Sequence, residues 1–361
     1  MRAHIASVWL AAMVFMAGVA NADAPLLPRY PEVHPGVSLH FPADHGAHPD
    51  FRNEWWYVTG WLETGDGRPL GFQVTFFRSR PSTDERNPSA FAPKQILFAH
   101  AALSDPAVGR LLHAERAARA GFGLAQAAAN DTDVVLENWL LKRNPDGVFH
   151  TKVSGAEFAL DLSFTPSQPV LLEGENGYSQ KGPLAAEASY YYSLPHLFVS
   201  GKITRGGRTQ PVKGLAWLDR EWSSQYLDPR AVGWDWAGLN LDDGGALMAF
   251  RIRDATGHAL WTGGSWRDAE GSVTRFAPGD VTFTSRRRWR SPHTGAVYPV
   301  ETGIAVRTPS GERQWEVAPL FDDQELDSRS GGGPVYWEGA VRANGGRGYL
   351  ELTGYFQPLK L

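Results

Sequence analysis

The sequence predicts an all-β protein with two antiparallel barrels or sandwiches in tandem. It contains 39 glycines and 25 prolines among 361 residues, well above the roughly 12% usual for these two types together. From residue 51 onward, aromatic and β-branched residues recur with period two, which is typical of strands. The length is that of two ordinary domains, since about 150 residues make one. Many short strands over that length favour two barrels or sandwiches.

The strand candidates begin with a hairpin. Residues 55–62 are dense in strand formers and stop at Gly65-Asp66-Gly67, and residues 70–78 return as their partner. The remaining candidates, separated by glycine-rich turns, are 96–103, 134–142, 158–164, 189–192, 197–204, 214–218, 234–241, 246–253, 281–284, 303–307, 337–341 and 348–356. Only residues 114–129 have a helical composition, although their alanines fit a loop around a strand equally well.

The N-terminus has the pattern of an export signal. Arg2 and His4 precede an apolar run over 5–20, and Ala20-Asn21-Ala22 is an A-x-A cleavage site. We therefore predict a signal peptide over 1–22, a Pro-rich leader without structure of its own over 23–47, and domains over 48–228 and 229–361. We expect a periplasmic or secreted protein, exported by a Sec-type signal, with no transmembrane segment after the signal is removed.

Composition excludes several classes of site. The net charge of −4 and the scattered basic residues argue against a nucleic-acid partner, and the basic run over 286–290 is typical of a solvated strand edge. The absence of cysteine excludes disulfides, thiolate nucleophiles and iron–sulfur clusters. No G-x-S-x-G, H-E-x-x-H or P-loop motif is present. His40, His45 and His48 have ligand-like spacing near Asp50, but loop histidines that cap backbone groups are the commoner interpretation.

Acidic residues are embedded among aromatic ones, and strand parity sorts them onto faces. Trp217, Asp219 and Glu221 share one face of their strand, whereas residues 218, 220 and 222 share the other. Asp219 is the candidate catalytic residue, and the candidate ligand-binding residues are Glu54, Trp56, Tyr190, Tyr192, Trp217, Glu221, Trp234 and Trp236.

If these faces turn into a barrel interior, burial raises the pKa of a carboxyl group and leaves an acid able to donate a proton near neutral pH. Aromatic rings stabilise a cation through their π faces. The combination suits protonation of an electron-rich alkene followed by addition of water. The structural alternative is that each buried carboxylate is paired with an arginine, for which Arg78, Arg220, Arg251 and Arg253 are available.

Several stretches resemble a known family, the AttH-like proteins and carotenoid 1,2-hydratases (hydroxyneurosporene synthases). The longest are HPDFRNEWWY at 48–57 and GLAWLDREWSS at 214–224. Others, spread over the rest of the chain, lie at 75–78, 99–105, 173–182, 190–193, 233–236, 336–339 and 348–355. The resemblance is greatest to the exported AttH-like branch.

This resemblance implies two lipocalin-like (calycin) β-barrels in tandem. It also implies that Asp219 protonates the terminal double bond of a hydrophobic substrate and that water captures the cation, without a metal or organic cofactor. Tyr190, Tyr192 and Trp217 then fall in the pocket. The substrate is a terpenoid, a carotenoid or another lipid.

Two further functions remain open. The first is a non-catalytic periplasmic carrier of a hydrophobic small molecule, working with an ABC-type export permease, since AttH-like members are often encoded beside such permeases. The second is a glycan hydrolase that uses Glu54, Asp219 or Glu221, which the family resemblance does not support.

Overall fold

The structure is a computed structural model that describes residues 25–359; the predicted signal peptide, 1–22, lies outside this range. The described chain is built almost entirely of antiparallel strands in two sheets. Within this range no helix is long and apolar enough to cross a membrane. The all-β prediction is confirmed.

The first sheet has thirteen strands, which lie between residues 53 and 223. They are β1 (Asn53–Thr64), β2 (Pro69–Ser79), β3 (Ile96–Ser104), β4 (Leu111–Arg119), β5 (Ala125–Ala127), β6 (Asp133–Leu136), β7 (Trp139–Arg143), β8 (Phe149–Ser154), β9 (Phe158–Thr165), β10 (Leu171–Leu172), β11 (Tyr178–Gln180), β12 (Ala188–Arg205) and β13 (Arg208–Ser223).

The order of the first sheet is β4-β3-β2-β1-β13-β12-β9-β8-β7-β6-β5, with β10 and β11 added to β12. The strands at its two ends approach each other, because β3 and β4 contact β6. The sheet thus curls around one core, in which Trp56, Phe72, Phe76 and Trp139 are fully buried. This is the lipocalin-like barrel that the family resemblance implies.

The second sheet has ten strands, which lie between residues 231 and 352. They are β14 (Ala231–Leu241), β15 (Ala246–Asp254), β16 (Ala259–Arg267), β17 (Val273–Phe276), β18 (Val281–Arg290), β19 (Val297–Thr308), β20 (Gly311–Pro319), β21 (Glu325–Asp327), β22 (Val335–Ala343) and β23 (Gly346–Leu352). Their order is β17-β16-β15-β14-β23-β22-β20-β19-β18, with β21 on β22, and β18 also contacts β15 and β16. The second sheet likewise curls around its own core, which contains Trp337 and Tyr298.

Three local predictions need correction. The stretch 114–129 is not helical, because its first residues continue β4 and pair with β3, Ala114 opposite Ala101; sheet pairing overrides the helix propensity of alanine. The stretch 134–142 is a hairpin of β6 and β7, with Glu137 in its turn at a φ of 54°. The stretches 189–192 and 197–204 belong to one long strand, β12.

The leader is not independent of the fold. It has no strand within 25–47 and one short 3-10 helix, Ala43–His45, but Val33 and Ala47 are buried in the first core. The carbonyl oxygen of His45 accepts hydrogen bonds from Trp56 Nε1 and Thr132 Oγ1, each at 2.9 Å. These contacts make the leader part of the packing of the first barrel.

The two barrels are joined by a third apolar cluster, which includes Trp61 from the first sheet and Phe250 and Tyr349 from the second. Trp61 Nε1 donates a hydrogen bond to the carbonyl oxygen of Gly348 at 2.9 Å. A Cβ atom at Gly71 would lie 2.6 Å from the Cβ atom of Ala340, so only glycine permits this close approach. Beside this contact the two sheets enclose a cavity.

Candidate functional site

The cavity lies between the two barrels and has a volume of about 340 Å³. The first sheet contributes residues of β1, β2, β3, β12 and β13, and the second contributes residues of β14, β15, β22 and β23. The wall is mainly aromatic, and its rings include Trp55, Tyr57, Phe77, Tyr191, Trp234, Trp236 and Phe250. Five acidic residues also line it, which are Asp219, Glu221, Glu338, Glu351 and, at its edge, Glu54.

The site therefore lies between the barrels. The sequence predicts a site in a barrel interior only on the condition that the acidic strand faces turn inward. The odd-numbered residues of β13 share one face, as parity predicts, but that face is turned away from the first core and towards the second sheet. Trp217 packs with Trp236 in the cluster between the barrels, whereas Leu218 and Trp222 belong to the first core. Parity assigns residues to faces, but it does not say which face is inside.

Asp219 is almost completely buried, with 3% of its surface exposed. Its Oδ1 accepts hydrogen bonds from Ser193 Oγ and Trp217 Nε1, both at 2.6 Å, and its Oδ2 accepts one from Tyr191 Oη at 2.7 Å. Burial raises the pKa of Asp219 to about 7, against the hydrogen bonds, which lower it. A large fraction of Asp219 is thus protonated at neutral pH. Because Oδ1 already accepts two donors, the proton belongs on Oδ2.

Glu173 lies behind Asp219 and shares Ser193 with it. Ser193 Oγ is 2.9 Å from Glu173 Oε1 as well as 2.6 Å from Asp219 Oδ1, yet a hydroxyl group carries a single hydrogen. Burial and then the charge of Asp219 raise the pKa of Glu173 to about 8. A protonated Glu173 donates to Ser193, and Ser193 then donates to Asp219. Glu173, Ser193, Asp219 and Tyr191 thus form one hydrogen-bonded chain that ends at the cavity.

The other cavity carboxyls differ in their partners. Glu221 accepts a hydrogen bond from Ser189 and lies 3.2 Å from the ammonium group of Lys181. Glu351 accepts a hydrogen bond from Trp234 Nε1 at 2.8 Å, and burial raises its pKa to about 7. Glu338 is opposite Glu351 on β22, and burial, then the charge of Glu351, raises its pKa well above the ordinary value. Three of the cavity carboxyl groups, those of Asp219, Glu338 and Glu351, therefore have a raised pKa and no cationic partner within residues 25–359, whereas Glu221 is paired with Lys181.

The structure brings together five of the predicted site residues, which are Trp217, Asp219, Glu221, Trp234 and Trp236. Trp217 stands behind Asp219, while the other four line the cavity.

Three predicted ligand-binding residues lie elsewhere, in the first core. Tyr190 packs against Trp222, Tyr192 Oη is 2.6 Å from His45 Nδ1, and Trp56 lies 3.8 Å below the guanidinium group of Arg220. They share the even-numbered parity that faces the barrel interior, so none of them lines the cavity.

Glu54 reaches the edge of the cavity, but its carboxylate is held inside the first barrel. It is fully buried and forms ion pairs with Arg78 and Arg220, and both of its oxygens accept from the backbone N–H of His48 at 3.0 Å. Burial alone would raise the pKa of Glu54, but Arg220, His48 and Arg78 together hold it far below its usual range. Glu54 is thus an ionised structural carboxylate.

The three loop histidines do not share a ligand position. His45 is bonded to Tyr192, and burial lowers its pKa to about 3, whereas His48 lies between Asp44 and Glu54 and His40 is exposed. Over residues 25–359, no group of three or more His, Asp or Glu side chains is arranged to hold a metal ion.

Sequence reasoning missed five residues of the site. Parity indicates that Tyr191 faces away from Tyr190 and Tyr192, and the register then places it opposite Glu221 and places Ser193 opposite Asp219. That register is a long-range pairing, which the sequence does not show. Glu173, Glu338 and Glu351 come from other parts of the chain. Each lies in a stretch that resembles the AttH-like family, 173–182, 336–339 or 348–355, and that resemblance is the signal by which the sequence could have indicated them.

Comparison with known proteins identifies the family. The AttH-like family model matches residues 32–355. The chain belongs to the AttH-like family. A crystal structure named as an AttH protein from Nitrosomonas europaea is 55% identical, with a TM-score of 0.83, and the match covers 90% of this chain and 99% of that one.

Two more distant structures share the fold. Kievitone hydratase from Nectria haematococca is 14% identical with a TM-score of 0.67, and the match covers 92% of this chain and 98% of that one. CghA, solved with Sch210972, is 11% identical with a TM-score of 0.51, covering 89% and 95% respectively. Comparison with curated protein sequences gave no match.

Proposed function

We propose that this AttH-like protein is an exported hydratase that binds an uncharged hydrophobic alkene between its two barrels and adds water to it by acid catalysis. The observation that carries the proposal is Asp219, a buried carboxyl group with a pKa of about 7 in an aromatic cavity. A catalytic acid works best when its pKa lies near the operating pH.

In the proposed reaction, the proton on Asp219 Oδ2 passes to the less substituted carbon of the double bond. The π electrons form the new C–H bond and leave a cation on the more substituted carbon. Trp236, Trp234 and Phe250 line the cavity, and the face of an aromatic ring can stabilise a cation by about 0.5–2 kcal/mol. A water molecule then forms the C–O bond and returns a proton to the Asp219 carboxylate, so that alkene plus water yields an alcohol.

Three hydrogen bonds keep Asp219 in place for this step. Trp217 and Ser193 fix Oδ1, which leaves Oδ2 and the Tyr191 hydroxyl as the polar groups turned towards the ligand. Trp236 Nε1 in turn donates to Tyr191 Oη at 3.1 Å. Such preorganisation reduces the reorganisation that the reaction requires.

The size of the cavity and the fold support the proposal. A volume of about 340 Å³ is at the lower end of ligand pockets, which measure roughly 300–1,000 Å³, and it suits a small terpenoid or one end of a longer polyene. Kievitone hydratase shows that a hydratase has this fold, although at 14% identity.

The test is mass spectrometry of an organic extract from protein purified from its own periplasm, before and after incubation with water-accessible polyenes. A bound alkene together with its one-water adduct is the expected result. Asp219→Asn should reduce formation of the adduct by about 10²–10⁴-fold, the usual contribution of a general acid, while the alkene still binds. Equal formation of the adduct by this variant would remove Asp219 as the acid.

The second candidate is a periplasmic carrier that passes a hydrophobic small molecule to an ABC-type permease. The observation that favours it is the cavity itself, which is lined by aromatic rings, lies between two rigid barrels, and would hold a ligand without any reaction. A carrier would release one unmodified lipid per protein after every incubation, and Asp219→Asn would not change what is recovered.

A further inference from the structure

A second polar cluster lines the cavity, apart from Asp219 and its partners. Tyr57 Oη on β1 and Glu338 Oε1 on β22 are both buried, and within the described part of the chain neither forms a hydrogen bond of ordinary geometry, although Tyr57 and Tyr336 lie close enough to the Glu338 carboxyl group to affect its pKa. Their residues are 7% and 2% exposed. Both residues line the cavity. Buried polar groups nearly always form well-aligned hydrogen bonds, so polar atoms that lack one in a ligand cavity point to a partner in the ligand.

The surroundings of this cluster are neutral. Tyr336 Oη lies 2.9 Å from His100 Nδ1, and both residues line the cavity beside Glu338. Burial lowers the pKa of His100 to about 4 and raises that of Glu338 well above its ordinary value. Both shifts favour the uncharged form, which is the neutral imidazole for His100 and the protonated carboxylic acid for Glu338.

The charges of the cavity exclude an anionic ligand. Its two cationic side chains are already paired, Lys181 with Glu221 and Arg78 with Glu54. A ligand carboxylate would lie beside acidic side chains without a free cation to pair with, so its binding is unfavourable. A plain hydrocarbon would leave the polar atoms of Tyr57 and Glu338 unpaired, which is unfavourable.

We propose that Tyr57 and Glu338, flanked by Tyr336 and His100, form a subsite that binds the uncharged hydroxyl or carbonyl oxygen of an otherwise apolar ligand. This inference rests on the proposed function, because it specifies the ligand of the same cavity. It selects terpenoid alcohols, phenols and ketones over fatty acids and unsubstituted polyenes.

The experiment is isothermal titration calorimetry of the full mature protein at pH 7.5 with four ligands that share one ten-carbon skeleton. They are geraniol, geranial, geranic acid and the parent hydrocarbon 2,6-dimethylocta-2,6-diene. Geraniol or geranial should bind about tenfold more tightly than the hydrocarbon, as expected for a buried hydrogen bond, and geranic acid should bind most weakly. Comparison of geraniol with geranial shows whether a hydroxyl or a carbonyl group is preferred.

Tyr57→Phe and Glu338→Leu should each bring the ratio of affinities for geraniol and the hydrocarbon close to one. Tyr349→Phe is the matched control, because it also removes a buried hydroxyl that forms no hydrogen bond of ordinary geometry within the described residues, but one that lies beside Ser104 and outside the cavity; it should keep the tenfold ratio. If circular dichroism shows that Glu338→Leu does not fold, Glu338→Gln replaces it. This variant should lower the ratio of affinities by less than the loss expected for Glu338→Leu.

Equal binding of alcohol and hydrocarbon by the wild-type protein would overturn the subsite, as would a tenfold ratio that survives in Tyr57→Phe and Glu338→Leu. Binding of none of the four would do so as well. These readouts do not depend on turnover. Asp219→Asn should keep the preference for geraniol, so failure of the hydratase reaction and failure of the subsite are distinguishable.

Discussion

The two faces of β13 differ in how their buried charged side chains are paired. On the face inside the first barrel, Arg220 is fully buried and paired with the Glu54 carboxylate, which also pairs with Arg78. On the cavity face, Asp219 is equally buried but has only neutral hydrogen-bond donors, from Ser193, Trp217 and Tyr191. The pKa of Glu54 is therefore lowered and that of Asp219 is raised. Burial therefore raises the pKa of a carboxyl group only where no cation is paired with it.

The second barrel repeats the contrast on β14. Asp235 faces its interior and pairs with Arg251 and Arg253, whereas its neighbours Trp234 and Trp236 face the cavity. The structural alternative considered for buried carboxylates thus holds for Glu54 and Asp235, but not for Asp219. The acids without a cationic partner in the described chain, Asp219, Glu338 and Glu351, lie at the cavity together with the Lys181-paired Glu221, whereas Glu54 and Asp235 are paired with arginines inside the barrels.

On the cavity face, the largest expected effect is that of Asp219→Asn, which should lower the rate of water addition by about 10²–10⁴-fold. Its counterpart on the barrel face is Arg220→Met, which should leave turnover chemistry in place but destabilise the fold by about 3–5 kcal/mol, because the Glu54 carboxylate loses a buried partner. Urea unfolding followed by tryptophan fluorescence measures this change. A stable Arg220→Met protein would show that the ion pairs of the first barrel are not required.

The pH dependence of turnover separates the two faces further. Because Asp219 must be protonated to act, and its pKa is about 7, the rate should be constant below pH 6 and should fall at least tenfold per pH unit above pH 8. Initial rates between pH 5 and pH 9 test this. A rate that rises with pH would assign the reaction to an ionised carboxylate instead.

The hydrogen bonds that connect Glu173 through Ser193 to Asp219 give a prediction for the slope of the pH–rate profile. If Glu173, with a pKa of about 8, must also hold its proton, the alkaline limb of the wild-type profile should reach a slope of two on logarithmic axes. Glu173→Gln keeps a donor to Ser193 that does not ionise, so its slope should be one while its rate at pH 6 stays within about threefold of wild type. If the alkaline parts of the two pH–rate profiles have the same slope, the protonation of Glu173 does not affect the reaction.

The smallest expected effect is the pH-dependent change in the melting temperature of Asp219→Asn. The folded-state pKa of Asp219 is raised from 3.8 to about 7, so the folded state binds the proton more tightly than the unfolded state, and stability falls as pH rises through this window. Asp219→Asn should therefore melt on the order of a few degrees higher than wild type at pH 9 and nearly the same at pH 4.

Asp235→Asn is the control for this melting experiment. It removes a carboxylate that is paired with Arg251 and Arg253, so it should lower the melting temperature at pH 9. Differential scanning calorimetry of both variants measures these changes. A melting temperature of Asp219→Asn below that of the wild type at pH 9 would contradict the raised pKa of Asp219.

Much of the fold could be predicted from local patterns. The hairpin of β1 and β2, the strands around 158–164 and 234–241, and the shared face of Trp217, Asp219 and Glu221 all follow from a period of two, which depends only on neighbouring residues. Strands such as β16 and β20 were missed because their residues are polar or glycine-rich. For the stretch 114–129 the sequence leaves a helix and a loop around a strand open, because alanine favours helices until a neighbouring strand pairs with it; the strands β4 and β5 exclude the helix.

By itself, the sequence determined the all-β class, the family and the grouping of residues by strand face. The tertiary structure decided that the odd face of β13 turns towards the second barrel, that Tyr191 and not Tyr190 or Tyr192 meets Asp219, and that Glu173 lies behind it. The physical reason is that alternation along a strand is a local property. The identity of the face that is covered, and the charge that stands opposite each carboxyl group, depend on pairing between residues far apart in the chain.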